Sequence, residues 1–149
     1  METIKTKAYG EIQVDPASMI TFKREILGFE GLTRYYLIEM GDLPNFYWLQ
    51  SAEEPDLAFV VVNPRLFQED YKLVLDEIDW GLLEVGEKDE IIDFAIVNIP
   101  EDIHKMTMNL LGPIVINATK RIAIQGISMN DSYGTKVPLF SKELSPTKS

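Results

Sequence analysis

Residues Met106–Gln125 read MTMNLLGPIVINATKRIAIQ. Three apolar runs follow one another here: Met106–Leu111, Pro113–Ile116 and Ile122–Ile124. Gly112-Pro113 separates the first two, and Asn117-Ala118-Thr119-Lys120 separates the last two. Short runs rich in Val and Ile, cut by turn-forming residues, read as buried strands. A lone strand cannot bury itself, so the three are expected to pair as the middle of an antiparallel sheet, with the rest of the chain packed around them.

Working outward, the same pattern recurs. Residues 3–14, TIKTKAYGEIQV, alternate as a hairpin with Gly10 at its turn. Met19–Phe22, Arg34–Met40, Phe46–Ser51 and Ile91–Pro100 read as further strands. Leu57–Val62, LAFVVV, is apolar throughout, which predicts a strand covered on both faces. Between Lys23 and Thr33 the run Gly28-Phe29-Glu30-Gly31 marks a turn with room for one helical loop. Residues 64–75 suggest a helical turn followed by a strand. Asp76–Leu83 suggests a short helix capped by Asp76, with Ile78, Leu82 and Leu83 on its inner face. Residues 84–90 form a polar connection. After residue 129 the chain turns polar and is broken by Gly and Pro; Val137–Phe140 is the part expected to dock, and the end of the tail is expected to be mobile. Many short strands with regular turn signals predict an all-β, mainly antiparallel fold: a small β-barrel or barrel-like sandwich with a few short helices.

A chain of 149 residues with 46% apolar content fits one domain with a real core. It has no cysteine, hence no disulfide framework and no thiolate chemistry. The N-terminus lacks the apolar stretch of a signal peptide, and no run approaches the ~20 apolar residues of a membrane helix. These features predict a soluble, cytoplasmic protein.

The charge is uneven. Glu53 to Asp102 holds 15 acidic residues against Arg65, Lys72 and Lys88, a local net of −12. The remainder holds 9 acidic and 11 basic residues, a net of +2. Such a segment repels nucleic acid and attracts basic protein surfaces. Its bland reading is a solvated face that keeps the protein in solution. Trp80 lies within it and reads either as core packing or as a large aromatic that can anchor a partner; Trp48, within FYWLQS, reads as packing. The expected partner-binding residues are Glu69, Asp70, Asp76, Glu77, Asp79, Trp80, Glu84 and Glu87.

Support for catalysis is thin. His104, the one histidine, stands in a polar turn without a neighbouring nucleophile. Ser128 in GISMN lacks the second glycine of a nucleophile elbow. Gly28 and Gly31 make no phosphate cradle. Asp76–Glu87 has Asp first, Gly sixth and Glu twelfth, as a calcium loop would, but Ile78 and Trp80 occupy ligand positions and reject it. No catalytic residue, metal or cofactor is expected. The sequons at Asn117 and Asn130 carry no weight without a secretion signal. The competing classes are a small barrel enzyme or cofactor-binding domain, with a flavin or sugar in the barrel mouth, and a module that only oligomerises.

The order GFEGLTRYYLIE, FYWLQS, LAFVVVNP, IPEDIHKMTMNLLGPIVIN and SYGTKVPLF resembles the FliW family of flagellar assembly factors, from about Ile12 to Phe140. Its most specific pieces are Trp48-Leu49-Gln50-Ser51 and Met108–Asn117; Gly112 stands where the family usually has alanine. The resemblance implies one FliW-like domain over residues 1–140, a tail over 141–149 and no cofactor. It implies two partners: flagellin, held as a monomer before export, and CsrA, a basic RNA-binding regulator that represses flagellin translation. The helical ends of flagellin are expected to need an apolar groove. The free protein is expected to be a monomer.

Overall fold

The computed structural model describes residues 1–41 and 43–140. Among these are ten strands: β1 Glu2–Thr6, β2 Gly10–Val14, β3 Ile20–Arg24, β4 Arg34–Glu39, β5 Phe46–Ser51, β6 Ala58–Val62, β7 Ile91–Asn98, β8 Thr107–Asn117, β9 Ile122–Gln125 and β10 Val137–Pro138. One α-helix, α1, spans Glu77–Leu82, and 3₁₀ turns occupy Pro16–Ser18, Pro64–Leu66 and Ile103–Lys105. None of the described helices is long and apolar enough to cross a membrane.

The strands β8-β7-β6-β5-β4-β3-β9 are hydrogen-bonded in that order, and β9 pairs back onto β8. The result is a closed seven-strand barrel, with β10 added at the outer end of β8 and β1–β2 as a separate hairpin. Closure removes the free edges that a seven-strand sheet would expose. All barrel pairings are antiparallel except β3 with β9. The all-β barrel expected from sequence is the fold observed.

Alternation along the strands fills the barrel. Tyr35, Leu49, Val61, Phe94, Ile114, Ile116, Ile20 and Phe22 meet inside it. Their strand neighbours Val60, Val62, Ala95, Val97 and Met108 point outward, yet they too are buried, under Tyr71 and Leu139. A third cluster joins Val115 and Ile124, on the outer wall of β8 and β9, to Leu75 and Leu83. The connection from residue 63 to 90 therefore lies as a cover across the outside of the barrel. This explains why LAFVVV is apolar on both faces.

Gln50 fixes the hairpin to the barrel. Its Nε2 donates to the carbonyls of Ser51, Pro55 and Leu57, and its Oε1 accepts from Lys7 N at 2.9 Å. A buried amide with this many partners is fully satisfied.

Four expectations are corrected. Met106–Leu111 and Pro113–Ile116 are one strand, not two. Opposite β7, the register jumps from Phe94↔Ile114 to Ile96↔Asn109, so Gly112-Pro113 sits in a bulge rather than a turn. Before the bulge β8 pairs with β10, and after it with β9. A bulge re-aims a strand without ending it, which accommodates a proline that has no N–H to give. Second, residues 72–75 form no strand: Met129 N donates to Val74 O at 2.8 Å and Lys72 N to the Tyr133 hydroxyl at 3.2 Å, which are isolated bonds and not a ladder. Third, residues 25–31 make successive turns and no helix, because Gly28 and Gly31 adopt φ of +93° and +86°. Fourth, Leu82 and Leu83 pack inward as expected, but Ile78 is 69% exposed and Asp79 is buried beside them. The docking of Val137–Phe140 occurs through β10 and buried Leu139. The expected tail at 141–149 lies outside the described residues.

Candidate functional site

The acidic cover is built outward from its anchors. Asp76 caps α1, its Oδ1 accepting from Asp79 N at 2.9 Å. Its extended backbone and carboxylate suit that position. Asp79 points into the protein. Its Oδ1 lies 2.7 Å from Arg24 Nη2, and its Oδ2 accepts from Ile127 N at 3.1 Å. One carboxylate thus joins α1 to β3 and to the segment after β9. Trp80 is half-buried against the third cluster.

Beyond α1 the chain is tied to the β8–β9 turn. Asn117, fully buried, donates through Nδ2 to Leu83 O and to Asp89 Oδ2, both at 2.9 Å. Asp89 also accepts from Gly86 N at 2.8 Å and lies 2.9 Å from Lys120 Nζ. Lys120, Asn117 and the Gly86 N–H together hold the Asp89 carboxyl down at about 2. Glu84 sits 3.4 Å from Lys23. The dismissed sequon at Asn117 is therefore a buried structural joint.

Of the eight residues expected to meet partners, Glu69, Asp70, Asp76, Glu77, Glu84 and Glu87 are exposed. Asp79 is not available, since its charge is turned inward onto Arg24. Glu69, Asp70, Glu77 and Glu87 form no ion pair among the described residues. Glu69 and Asp70 lead into Tyr71, over the second cluster, while Glu77 and Glu87 flank the third; Leu73 packs against both clusters. The structure thus puts these four carboxylates on one continuous cover, in two groups. His104 is exposed and bonded to Asp102 Oδ1 at 3.2 Å.

Sequence reasoning missed a second feature beside the cover. A groove of about 390 Å³ lies between the 25–30 loop, the β8 bulge and residues 125–127. Its lining is mainly apolar, from Ile26, Leu27, Leu111 and Ile127. Gln125 holds its two walls together: Oε1 accepts from Leu27 N at 2.8 Å and Nε2 donates to Gly112 O at 3.1 Å. The groove is assembled from three distant segments, so only the apolar content of each was visible beforehand.

The family model for the FliW protein matches residues 3–139. The chain belongs to the FliW family. A relative from Caldanaerobacter subterraneus subsp. tengcongensis, the flagellar assembly factor FliW, is 41% identical over 93% of this chain and 93% of its own. One from Leptospira interrogans, with the same description, is 40% identical over 92% of each chain. A crystal structure of the flagellar assembly factor FliW superposes with a TM-score of 0.89 at 31% identity, covering 96% of this chain and 100% of that one. The seven-strand barrel with its separate hairpin is thus a FliW fold. The matched span takes in the hairpin from its second residue, the whole cover and the docked β10, so both surfaces described above lie within the family's shared domain.

Proposed function

We propose that this FliW-family chain is a flagellar assembly factor that works in the cytoplasm by binding proteins and transforms no substrate. It holds the flagellin monomer before export. When free, it binds a CsrA-type RNA-binding regulator and relieves its repression of flagellin translation. Family membership supports the first part. The observation that carries the second is the cover itself: Glu69, Asp70, Glu77 and Glu87 are exposed and without ion pairs among the described residues. A surface of this sign attracts a basic partner and opposes the phosphates that partner carries.

The test replaces Glu69, Asp70, Glu77 and Glu87 by their amides together. Each exposed charge contributes a few tenths of a kcal/mol, so the four should weaken regulator binding about tenfold at low salt. The difference should shrink as salt rises through the range where the screening length falls below about 10 Å. Unchanged affinity at low salt removes the acidic cover from the regulator's binding site.

A further inference from the structure

We propose that the groove between the 25–30 loop and the β8 bulge receives one face of an amphipathic helix with basic flanks. On the function proposed above, on which this inference rests, that helix belongs to the flagellin monomer and not to the RNA-binding regulator.

Three observations converge. First, the groove presents apolar side chains to solvent. Leu27 is 84% exposed and Ile127 is 61% exposed, and both line it. Exposed apolar surface gathered into a concave site marks a place for a partner, whereas scattered single residues do not. Second, the backbone donors along its sheet-derived walls and at Leu27 are already used. Leu27 N donates to Gln125 Oε1, Leu111 N and Gly112 N to Asn109 Oδ1, Gly126 N to Pro113 O, and Ile127 N to Asp79 Oδ2. An extended peptide that adds to a sheet needs free main-chain donors and acceptors on the edge it joins. The walls built from the β8 bulge and residues 126–127 have no such donors to give, so a partner laid along them brings its own backbone bonds already closed. A helix does this. Third, the rim is acidic. Glu25 and Glu30 both line the groove, while its one cation, Arg24, is committed to Asp79 at 2.7 Å and to Gln125 O at 3.3 Å. Side chains flanking the helix's apolar stripe should therefore be Lys or Arg.

The occupant is separated from the regulator by chemistry. The exposed carboxylates of the cover offer a charged surface, fit for a basic partner whose affinity depends on salt. The groove offers mainly apolar contacts, with Glu25 and Glu30 adding a smaller charge contribution, so its affinity should fall less with salt than that of the cover.

The experiment uses the full chain, purified flagellin monomer and the purified regulator. Leu27→Glu and Ile127→Glu each place a charge in the groove and should lower flagellin affinity about tenfold or more, as expected for central apolar contacts. Regulator affinity should stay within about twofold. Ile103→Glu, at an exposed apolar side chain that does not line the groove, should change neither. Glu30→Lys should weaken flagellin binding severalfold at low salt. Thermal melts check folding, and Leu27→Ser serves if a glutamate variant melts early. If both groove variants bind flagellin as the parent does, the groove assignment is overturned while the proposed function stands. If regulator binding falls as far as flagellin binding, the separation of partners is overturned. If the parent chain binds no flagellin, the proposed function fails, and the groove assignment with it.

Discussion

Removing the Asp79 carboxylate isolates the joint that holds the cover to the barrel. Asp79→Ala breaks the 2.7 Å contact with Arg24 and leaves the Ile127 N–H without its 3.1 Å acceptor. The Asp79 side chain is 4% exposed and that of Arg24 is 34% exposed. Arg24 can thus partly rehydrate, so the lost ion pair should cost about 1 kcal/mol, less than the 3–5 of a fully buried pair. The part-buried amide adds about 1–2 kcal/mol. The total, about 2–3 kcal/mol, lowers the melting temperature by about 5–10 °C in a chain of this size. Urea titration at neutral pH is the assay, with an unchanged m-value as the sign that the unfolded state is unaffected. Asp79→Asn, which keeps an oxygen for Ile127 N, should fall between Ala and the parent. Glu77→Ala, exposed in the same helix, should stay within about 0.5 kcal/mol. A loss of less than about 0.5 kcal/mol in Asp79→Ala would refute the reasoning, because it would mean that the inward carboxylate stabilises nothing.

Other outcomes follow from single contacts. Asp89 is held at about 2 in the folded protein, below its ordinary 3.8, so its stabilising contribution is complete above the unfolded value and is lost as pH falls toward 2; melting curves from pH 5 to pH 2 should flatten in Asp89→Asn. Gly126→Ala places a Cβ 2.9 Å from Leu75 Cδ2, under the cover, and should cost about 1–3 kcal/mol by overpacking. Gly112→Ala meets only side-chain ends, Gln125 Nε2 at 2.9 Å and Asn109 Nδ2 at 3.2 Å, and should cost less than Gly126→Ala in the same urea assay. In a spectroscopic alkaline titration, Tyr35 and Tyr71 should be the last of the six tyrosines to ionise, since burial pushes each up to about 12.

The barrel was legible because its strands are short, apolar and separated by strong turn residues. β5 was found with its exact limits, Phe46–Ser51, since Asn45 adopts φ of +71° before it and Ser51 caps the turn after it. Gly112-Pro113 misled because a proline inside a strand looks like an end. Only the partners across the strand, β10 on one side and β9 on the other, reveal a bulge. The inward turn of Asp79 was hidden for a related reason. A buried carboxylate is tolerable only with a partner, and that partner, Arg24, lies 55 positions away in the sequence. Local periodicity sees neither. The groove was hidden because Leu27, Leu111 and Ile127 each look like an ordinary apolar residue until the fold brings them together.

The charge asymmetry now has a structural meaning. The acidic stretch from Glu53 to Asp102 does not stand apart from the weakly basic remainder of the chain. Arg34 pairs with Glu53, Arg24 with Asp79, Lys23 with Glu84 and Lys120 with Asp89. Basic residues of the remainder thus fasten the acidic stretch to the barrel at four points. Carboxylates used this way contribute to the fold and are largely neutralised locally. A partner therefore meets a smaller charge than the local sum of −12 suggests, set by residues such as Glu69, Asp70, Glu77 and Glu87. The two roles separate by exposure. Replacing a fastening carboxylate should change stability first and binding only through it, while replacing one of those four should change binding and leave stability alone. The excess in the sequence is larger than any single role requires because one segment supplies both.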